Sequence, residues 1–282
     1  MNTLQHSQLE KHYISVTQKD QILSFLRDAY DLDLTEYSEA SVRRRLTKML
    51  SEFGLKDVSE LENFLSRKPD GRKVFIEKFT VNVTEMFRDP HFYTTLEKKV
   101  FENLQNQDTI RIWSAGCSSG EEILSLTILL HEINLLSRCR IIGTDLNSKI
   151  LETAKSRTYK IRHISTYLKP YVYAGGRFDL EKYFTTHGEN AIFHSFLHEQ
   201  VEFKTHNLLD PLEGKPDFDL ILCRNVLIYF KSTLQNKVID NLEMHLKPGG
   251  YLGLGSKESI IFYENKSRLK DVDLESKIYQ KL

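Results

Sequence analysis

A run of small residues, Gly116-Cys117-Ser118-Ser119-Gly120, lies between the apolar stretch Ile110-Arg111-Ile112-Trp113-Ser114-Ala115 and the acidic pair Glu121-Glu122. Strand, glycine turn and helix in that order let a backbone approach a bound nucleotide closely, because glycine has no Cβ to collide with it. The residues after the turn decide the kind of nucleotide. Phosphates are held at helix N-termini by bare N–H groups and the helix dipole, and two carboxylates at that spot oppose a pyrophosphate. Glu121 and Glu122 therefore point to a ligand with positive charge and no phosphates. S-adenosylmethionine, with its sulfonium, ammonium and adenosine, fits; NAD, FAD and ATP fit poorly.

Other polar residues fall where strands should end. In Gly143-Thr144-Asp145-Leu146-Asn147 a carboxylate follows an apolar run, at the edge where doubly wound sheets bind ligands. Asp145 has two readings, a cap of the next helix or an acceptor for ribose hydroxyls, and the glycine loop beside it favours the second. Asn207, in His206-Asn207-Leu208-Leu209-Asp210, reads as an adenine-edge contact or as ordinary turn chemistry. The run Phe218-Asp219-Leu220-Ile221-Leu222-Cys223 reads as a strand buried on both faces that delivers Arg224, Asn225 and Tyr229 to the same edge. Upstream, Arg88 in Thr84-Glu85-Met86-Phe87-Arg88-Asp89-Pro90 sits in a connecting segment from which it could grip a carboxylate in two-pronged fashion. Arg44, Arg45 and Lys48 are expected to share an outward helix sector, which is either a solvated face or a steering surface for an acidic substrate.

The elements that must position these residues follow from hydrophobic period. Val42, Leu46, Met49, Leu50 and Phe53 recur on one helix face, and similar patterns cover 22–30, 61–65 and 73–79. Residues 1–80 are thus expected to form a helical domain, with 81–95 as a linker to the cofactor site. From 110 onward strands (110–114, 140–144, 201–205, 218–223, 251–255 and 277–281) alternate with helices (121–135, 148–156, 231–245), which predicts an α/β domain with a doubly wound, Rossmann-like sheet. More than forty residues separate the helix ending near Ser156 from the strand at Val201, too many for a bare loop, so a small β-subdomain is expected at about 170–200.

Bulk properties narrow the classes. Lysine and arginine (39) balance aspartate and glutamate (39) over 282 residues, so no global field draws the chain to nucleic acid or an anionic membrane. The three cysteines form no C-x-x-C pair and the ten histidines show no ligand spacing, so neither a disulfide framework nor a metal site is expected. The first fifteen residues lack the apolar core of a signal peptide, and no apolar run is long enough to span a bilayer, which makes the cytoplasm the expected location. The absence of G-x-G-x-x-G disfavours a nicotinamide dehydrogenase, and the absence of an Asn/Asp-Pro-Pro-Tyr block after the fourth strand disfavours amino methylation of bases.

With these blocks in hand the chain resembles the CheR-type chemotaxis receptor methyltransferases, which esterify glutamate side chains on bacterial chemoreceptors. The resemblance rests on Asn82-Val83-Thr84-Glu85-Met86-Phe87-Arg88, on Trp113 through Glu122, on Thr144-Asp145, Asn207-Leu208 and Cys223-Arg224-Asn225-Val226-Leu227-Ile228-Tyr229-Phe230, and on Leu246-Lys247-Pro248-Gly249-Gly250. It implies an S-adenosylmethionine site lined by Asn82, Thr84, Arg88, Glu121, Asp145, Asn207, Leu208, Arg224 and Asn225, with S-adenosylhomocysteine as product. It also implies that the basic helix of the N-terminal domain, with Arg44, Arg45 and Lys48, meets the cytoplasmic helices of a receptor. The acceptor would be a glutamate carboxylate, ionised at neutral pH because its reference pKa is about 4.3, so no general base is required. Arg88 is expected to orient that carboxylate and Tyr229 to border the transfer site. A monomer, recruited to receptor arrays, is the expected form; a regulatory module that binds cofactor or partner without turnover is the alternative.

Overall fold

The computed structural model of the chain describes residues 14–212 and 217–282. Residues 1–13, most of the stretch searched above for a signal peptide, lie outside the described residues. Two compact units divide the chain, one of residues 1–81 with 229–234 and one of residues 82–228 with 235–282. Among the described residues no helix is long and apolar enough to cross a membrane.

Among the described residues the smaller unit is built on four helices, α1 (Val16–Tyr30), α2 (Glu39–Phe53), α3 (Val58–Ser66) and α4 (Gly71–Phe79). Ser15 starts α1 with a capping box, accepting from the Gln18 N–H while the Gln18 side chain accepts from its own, which satisfies two otherwise orphaned donors. Val42, Leu46, Met49 and Leu50 form the buried stripe of α2, each 2% exposed or less. Gly71 is required by packing, since a Cβ there would lie 2.2 Å from the Tyr30 hydroxyl oxygen.

Arg45 corrects the expected basic sector. Arg44 and Lys48 are exposed, but Arg45 is 6% exposed. Helix geometry puts position 45 only about 40° from Met49, on the margin of the apolar stripe. Its guanidinium stacks over the Phe79 ring at 5.0 Å and over the Tyr229 ring at 4.3 Å. Tyr229 is therefore occupied within this unit: its carbonyl accepts from the Ser38 N–H at 2.8 Å, and the next ring, Phe230, meets Tyr37 edge-on at 4.8 Å. That residues 229–234 pack with the helices was not expected from composition.

In the larger unit, residues 82–95 are core rather than spacer. Met86, Phe87, Phe92 and Tyr93 are each 2% exposed or less, which draws the expected linker into the α/β domain. Helix α5 (Pro90–Leu96) continues through a π-helical turn to Leu104. The seven-stranded sheet has the order β6-β2-β1-β7-β8-β10-β9. Its strands are β1 (Ile110–Ala115), β2 (Cys139–Asp145), β6 (Val201–Thr205), β7 (Phe218–Cys223), β8 (Leu246–Leu254), β9 (Leu269–Asp273) and β10 (Ile278–Lys281). The first five in sheet order run parallel, and β10 is antiparallel to both neighbours. Helices α6 (Glu121–Glu132), α7 (Ser148–Ser156) and α9 (Ser232–His245) make the crossovers. The sheet was expected without β9, whose Leu269-Lys270-Asp271-Val272-Asp273 carries little apolar signal.

The insertion begins earlier than expected and is not wholly β. It consists of β3 (Thr158–Lys160), α8 (Ile161–Tyr173), β4 (Phe184–His187) and β5 (Asn190–Phe193), the strands forming an antiparallel sheet of order β3-β5-β4. Tyr171-Val172-Tyr173 is helical despite its β-rich residues, because Ile164, Tyr167 and Tyr171 supply a helix-spaced buried face. The insertion is fastened by Glu132, 7% exposed, whose carboxylate accepts from the Tyr171 hydroxyl at 2.5 Å, the Tyr183 hydroxyl at 2.7 Å and the Arg177 N–H at 3.1 Å. A buried donor stripped of a charged partner costs about 1.5–3 kcal/mol. Glu132→Ala, which orphans three donors, should lower stability by roughly 3 kcal/mol or more in urea titration, with Tyr183→Phe losing less; a denaturation midpoint unchanged in Glu132→Ala would refute this anchoring.

Candidate active site

The strand order reverses between β1 and β7, and the loops after these two strands open the crevice where doubly wound sheets take ligands. The loops touch: a Cβ on Gly116, whose φ is +84°, would lie 2.6 Å from Val226 Cγ2. Gly120, at φ +92°, starts α6 where a Cβ would lie 2.9 Å from Ala154 Cβ. Between them the N–H groups of Gly116 and Cys117 both donate to the Thr144 carbonyl at 2.8 Å, and the Tyr159 hydroxyl donates to the Ser119 carbonyl at 2.6 Å. The glycine loop is thus pinned to β2 and to the insertion. Four of the non-glycine residues with positive φ lie around this edge: Phe87, Asp89, Ser118 and Asn225. Such conformations cost of order 1–3 kcal/mol each and persist where surrounding bonds over-determine them.

Carboxylates dominate the edge. Asp145 accepts from the Ser118 N–H at 3.0 Å and the Asn147 N–H at 2.9 Å. The helix-cap alternative belongs to Asn147 instead, whose side chain accepts from the N–H groups of Lys149 and Ile150 at the start of α7. Glu121, 7% exposed, accepts from the Ser119 hydroxyl at 2.6 Å. Burial pushes both carboxyls above their ordinary range, against the hydrogen bonds that lower them. Glu122 is held by the Ser114 hydroxyl at 2.7 Å and by Arg224 at 3.5 Å.

Arg224 is spent on the protein itself. Its side chain is 2% exposed, its Nη2 donates to the Arg88 carbonyl at 2.8 Å and to Asp89 at 3.0 Å, and its guanidinium lies 4.0 Å from the Phe92 ring centroid. These bonds tie the Phe87–Arg88–Asp89 bend to α6, while the Arg224 Nε is buried with no hydrogen-bond partner among the described residues. Arg88 itself is in a different state. Its side chain is 35% exposed, and among the described residues its nearest acid is Glu85 at 3.9 Å. Asn82 and Thr84 are half-buried in the segment before the bend.

At the end of β6, the Asn207 carboxamide oxygen accepts from the Leu209 N–H at 3.2 Å, the turn chemistry weighed above. The same loop is held by Asn241, which donates to the carbonyls of Leu208 and Asp210. Asn225 is half-buried, with φ +62°. Sequence reasoning missed Glu258, 4% exposed, which accepts from the Asn225 N–H at 2.8 Å and the Leu227 N–H at 2.7 Å. Its only signal was an acid four residues beyond the end of β8, at the ligand-binding edge. The structure brings Arg88, Glu121, Asp145, Arg224 and Asn225 into one unit; Arg44, Arg45, Lys48 and Tyr229 belong to the other.

The donor set fits a cationic nucleoside. The buried Glu121 and the half-buried Asp145 can take hydroxyl hydrogens and positive charge, the Ser118 hydroxyl is buried without a hydrogen-bond partner among the described residues, and neither Gly116 nor Gly120 has room for a Cβ. Residues 82–278 match the family model described as CheR methyltransferase, SAM binding domain, and residues 18–80 match CheR methyltransferase, all-alpha domain. The chain is 36% identical over 252 residues to a Pseudomonas putida protein named as a methyltransferase, Cher3, with 89% of this chain and 92% of that one covered. It is 32% identical over 253 residues to the chemotaxis protein methyltransferase Cher2 of the same organism, covering 86% and 90%. It is 31% identical over 247 residues to chemotaxis protein methyltransferase 1 of Pseudomonas aeruginosa, covering 84% and 88%. The chain belongs to the CheR methyltransferase family, and its cofactor is S-adenosylmethionine.

Proposed function

We propose that the protein transfers a methyl group to glutamate side chains on the cytoplasmic helices of chemoreceptors, forming methyl esters for sensory adaptation. The names of the relatives support the chemotaxis setting, and the half-exposed Arg88, beside an Arg224 that is buried and paired with Asp89 and Glu122, carries the choice of an anionic acceptor. In this reading the protein works in the cytoplasm at receptor arrays.

S-adenosylmethionine, when bound, supplies a methyl group made electrophilic by its sulfonium. The chain's own residues do the rest. Asp145 accepts ribose hydroxyl hydrogens, Glu121 places negative charge at the cationic end, and the loops carrying Asn82, Thr84, Asn207, Leu208 and Asn225 enclose the nucleoside. Arg88 orients the acceptor carboxylate, which arrives ionised, so catalysis is placement and removal of water rather than proton transfer. Arg44 and Lys48 on α2 steer the unit toward acidic receptor helices, a rate effect sensitive to salt. The direct test is incubation with labelled S-adenosylmethionine and receptor cytoplasmic fragments followed by mild base, in which carboxyl esters release volatile methanol and N-methyl products do not.

Three outcomes are expected. Arg88→Ala should keep most S-adenosylhomocysteine affinity while turnover falls by about 100-fold or more, the scale of a misplaced reactant; turnover at the parent rate would remove Arg88 from the mechanism. Because burial raises the Glu121 carboxyl, its folded form favours the proton, so its cost to stability grows as pH rises from the unfolded value through the raised one. At pH 7, roughly neutral, Glu121→Gln should therefore melt no lower than the parent without ligand, yet bind S-adenosylhomocysteine about tenfold more weakly by calorimetry; undiminished binding would contradict the assignment. Reversing charge at Arg44 and Lys48 should slow receptor methylation most at low salt, whereas an unaltered salt dependence would leave that face simply solvated.

A further inference from the structure

Glu258 gathers four backbone donors onto one buried carboxylate. Its Oε2 accepts from the N–H groups of Asn225 at 2.8 Å and Gly255 at 2.6 Å, and its Oε1 from those of Leu227 at 2.7 Å and Ile228 at 3.3 Å. Three of these donors belong to the loop after β7 and the fourth to the end of β8, so one side chain joins the two loops. Backbone N–H groups in the interior need partners, and this loop has no regular ladder to provide them. Asn225 needs help of a second kind: at φ +62° it holds a left-handed conformation that a non-glycine residue adopts at a cost, and the Glu258 bonds at 225 and 227 fix the backbone on either side of Val226. Val226 is the residue against which Gly116 of the cofactor loop closes.

We propose that Glu258 is the positioning residue of the methyl-donor site: its carboxylate sets the backbone of residues 225–228, and through that backbone the placement of Asn225 and Val226 against the glycine loop. The proposal rests on the reading that Asn225 lines the cofactor site. A carboxylate is needed because both oxygens must accept. In Glu258→Gln the amide oxygen can serve one pair of N–H groups, but the amide nitrogen faces the other pair donor to donor.

The experiment compares Glu258→Gln with Asn225→Ala, using S-adenosylhomocysteine calorimetry and steady-state kinetics on receptor fragments, with circular dichroism to establish folding. Glu258→Gln is expected to raise the dissociation constant for S-adenosylhomocysteine and the KM for S-adenosylmethionine about tenfold, equivalent to about 1.4 kcal/mol, with kcat changed by less than roughly threefold. A residue that only stabilises the fold would lower the melting temperature and leave this split absent. If Glu258→Gln does not fold, Gly255→Ala carries the test, since its Cβ would lie 2.7 Å from Glu258 Oε2 and 2.8 Å from the Asn225 nitrogen, disturbing the same junction with the carboxylate intact. Weaker binding in Asn225→Ala and in the junction variant supports the proposal. Weaker binding in Asn225→Ala with parental binding in the junction variant overturns the role of Glu258 and leaves the site reading standing. Parental binding in both overturns the site reading and the proposal with it.

Discussion

The edge of the sheet must keep four carboxylates largely out of water, and they are satisfied in three ways. Asp145 and Glu258 are held by backbone N–H groups, Glu122 by a hydroxyl and by Arg224, and Glu121 by the Ser119 hydroxyl. Burying an ion is costly unless hydrogen bonds or an opposite charge compensate it, and removing one partner exposes that cost. The loops are therefore not free to relax: Ser118 holds a left-handed backbone because Asp145 grips its N–H, and the 87–89 bend is fixed because Arg224 reaches its carbonyl. Glu121 is the least compensated of the four.

The same logic separates two arginines that look alike in the sequence. Arg224 is enclosed by Asp89, Glu122 and the Phe92 ring, an arrangement suited to a planar guanidinium. Arg88, next to the carbonyl that Arg224 grips, keeps its own guanidinium in a half-exposed position. One arginine positions the other's backbone. Arg45 makes the same point in the helical unit, where a charge counted as surface is sandwiched between the rings of Phe79 and Tyr229.

Much of the parallel sheet was legible because its signals are local: continuous apolar runs for β1, β2 and β7, and a glycine turn between β1 and α6. The candidate residues at strand ends were legible for the same reason, since topology alone brings the C-terminal ends of parallel strands together. What escaped the sequence is long-range. Glu258 acts on residues about thirty positions away, Arg224 on a segment more than a hundred away, and nothing in either neighbourhood announces the partner. The strand β9 was invisible because its side chains are largely polar, and α8 lay unassigned in and before the interval expected to be β, its helical spacing of Ile164, Tyr167 and Tyr171 uncounted. Arg45 was misplaced by roughly half a helix face, enough to exchange solvent for two aromatic rings.

The hexapeptide 229–234 leaves the α/β unit and returns to it after packing with the helices. The two units consequently cannot be parted by a single cut. A fragment starting at Asn82 would keep Tyr229 and Phe230 but lose the Arg45 guanidinium and the Tyr37 ring that cover them, while a fragment ending at Val81 would leave Arg45 inside an apolar niche with one aromatic lid instead of two. Domain dissection, the usual way to assign work to each half of such a chain, would damage both halves at the same seam.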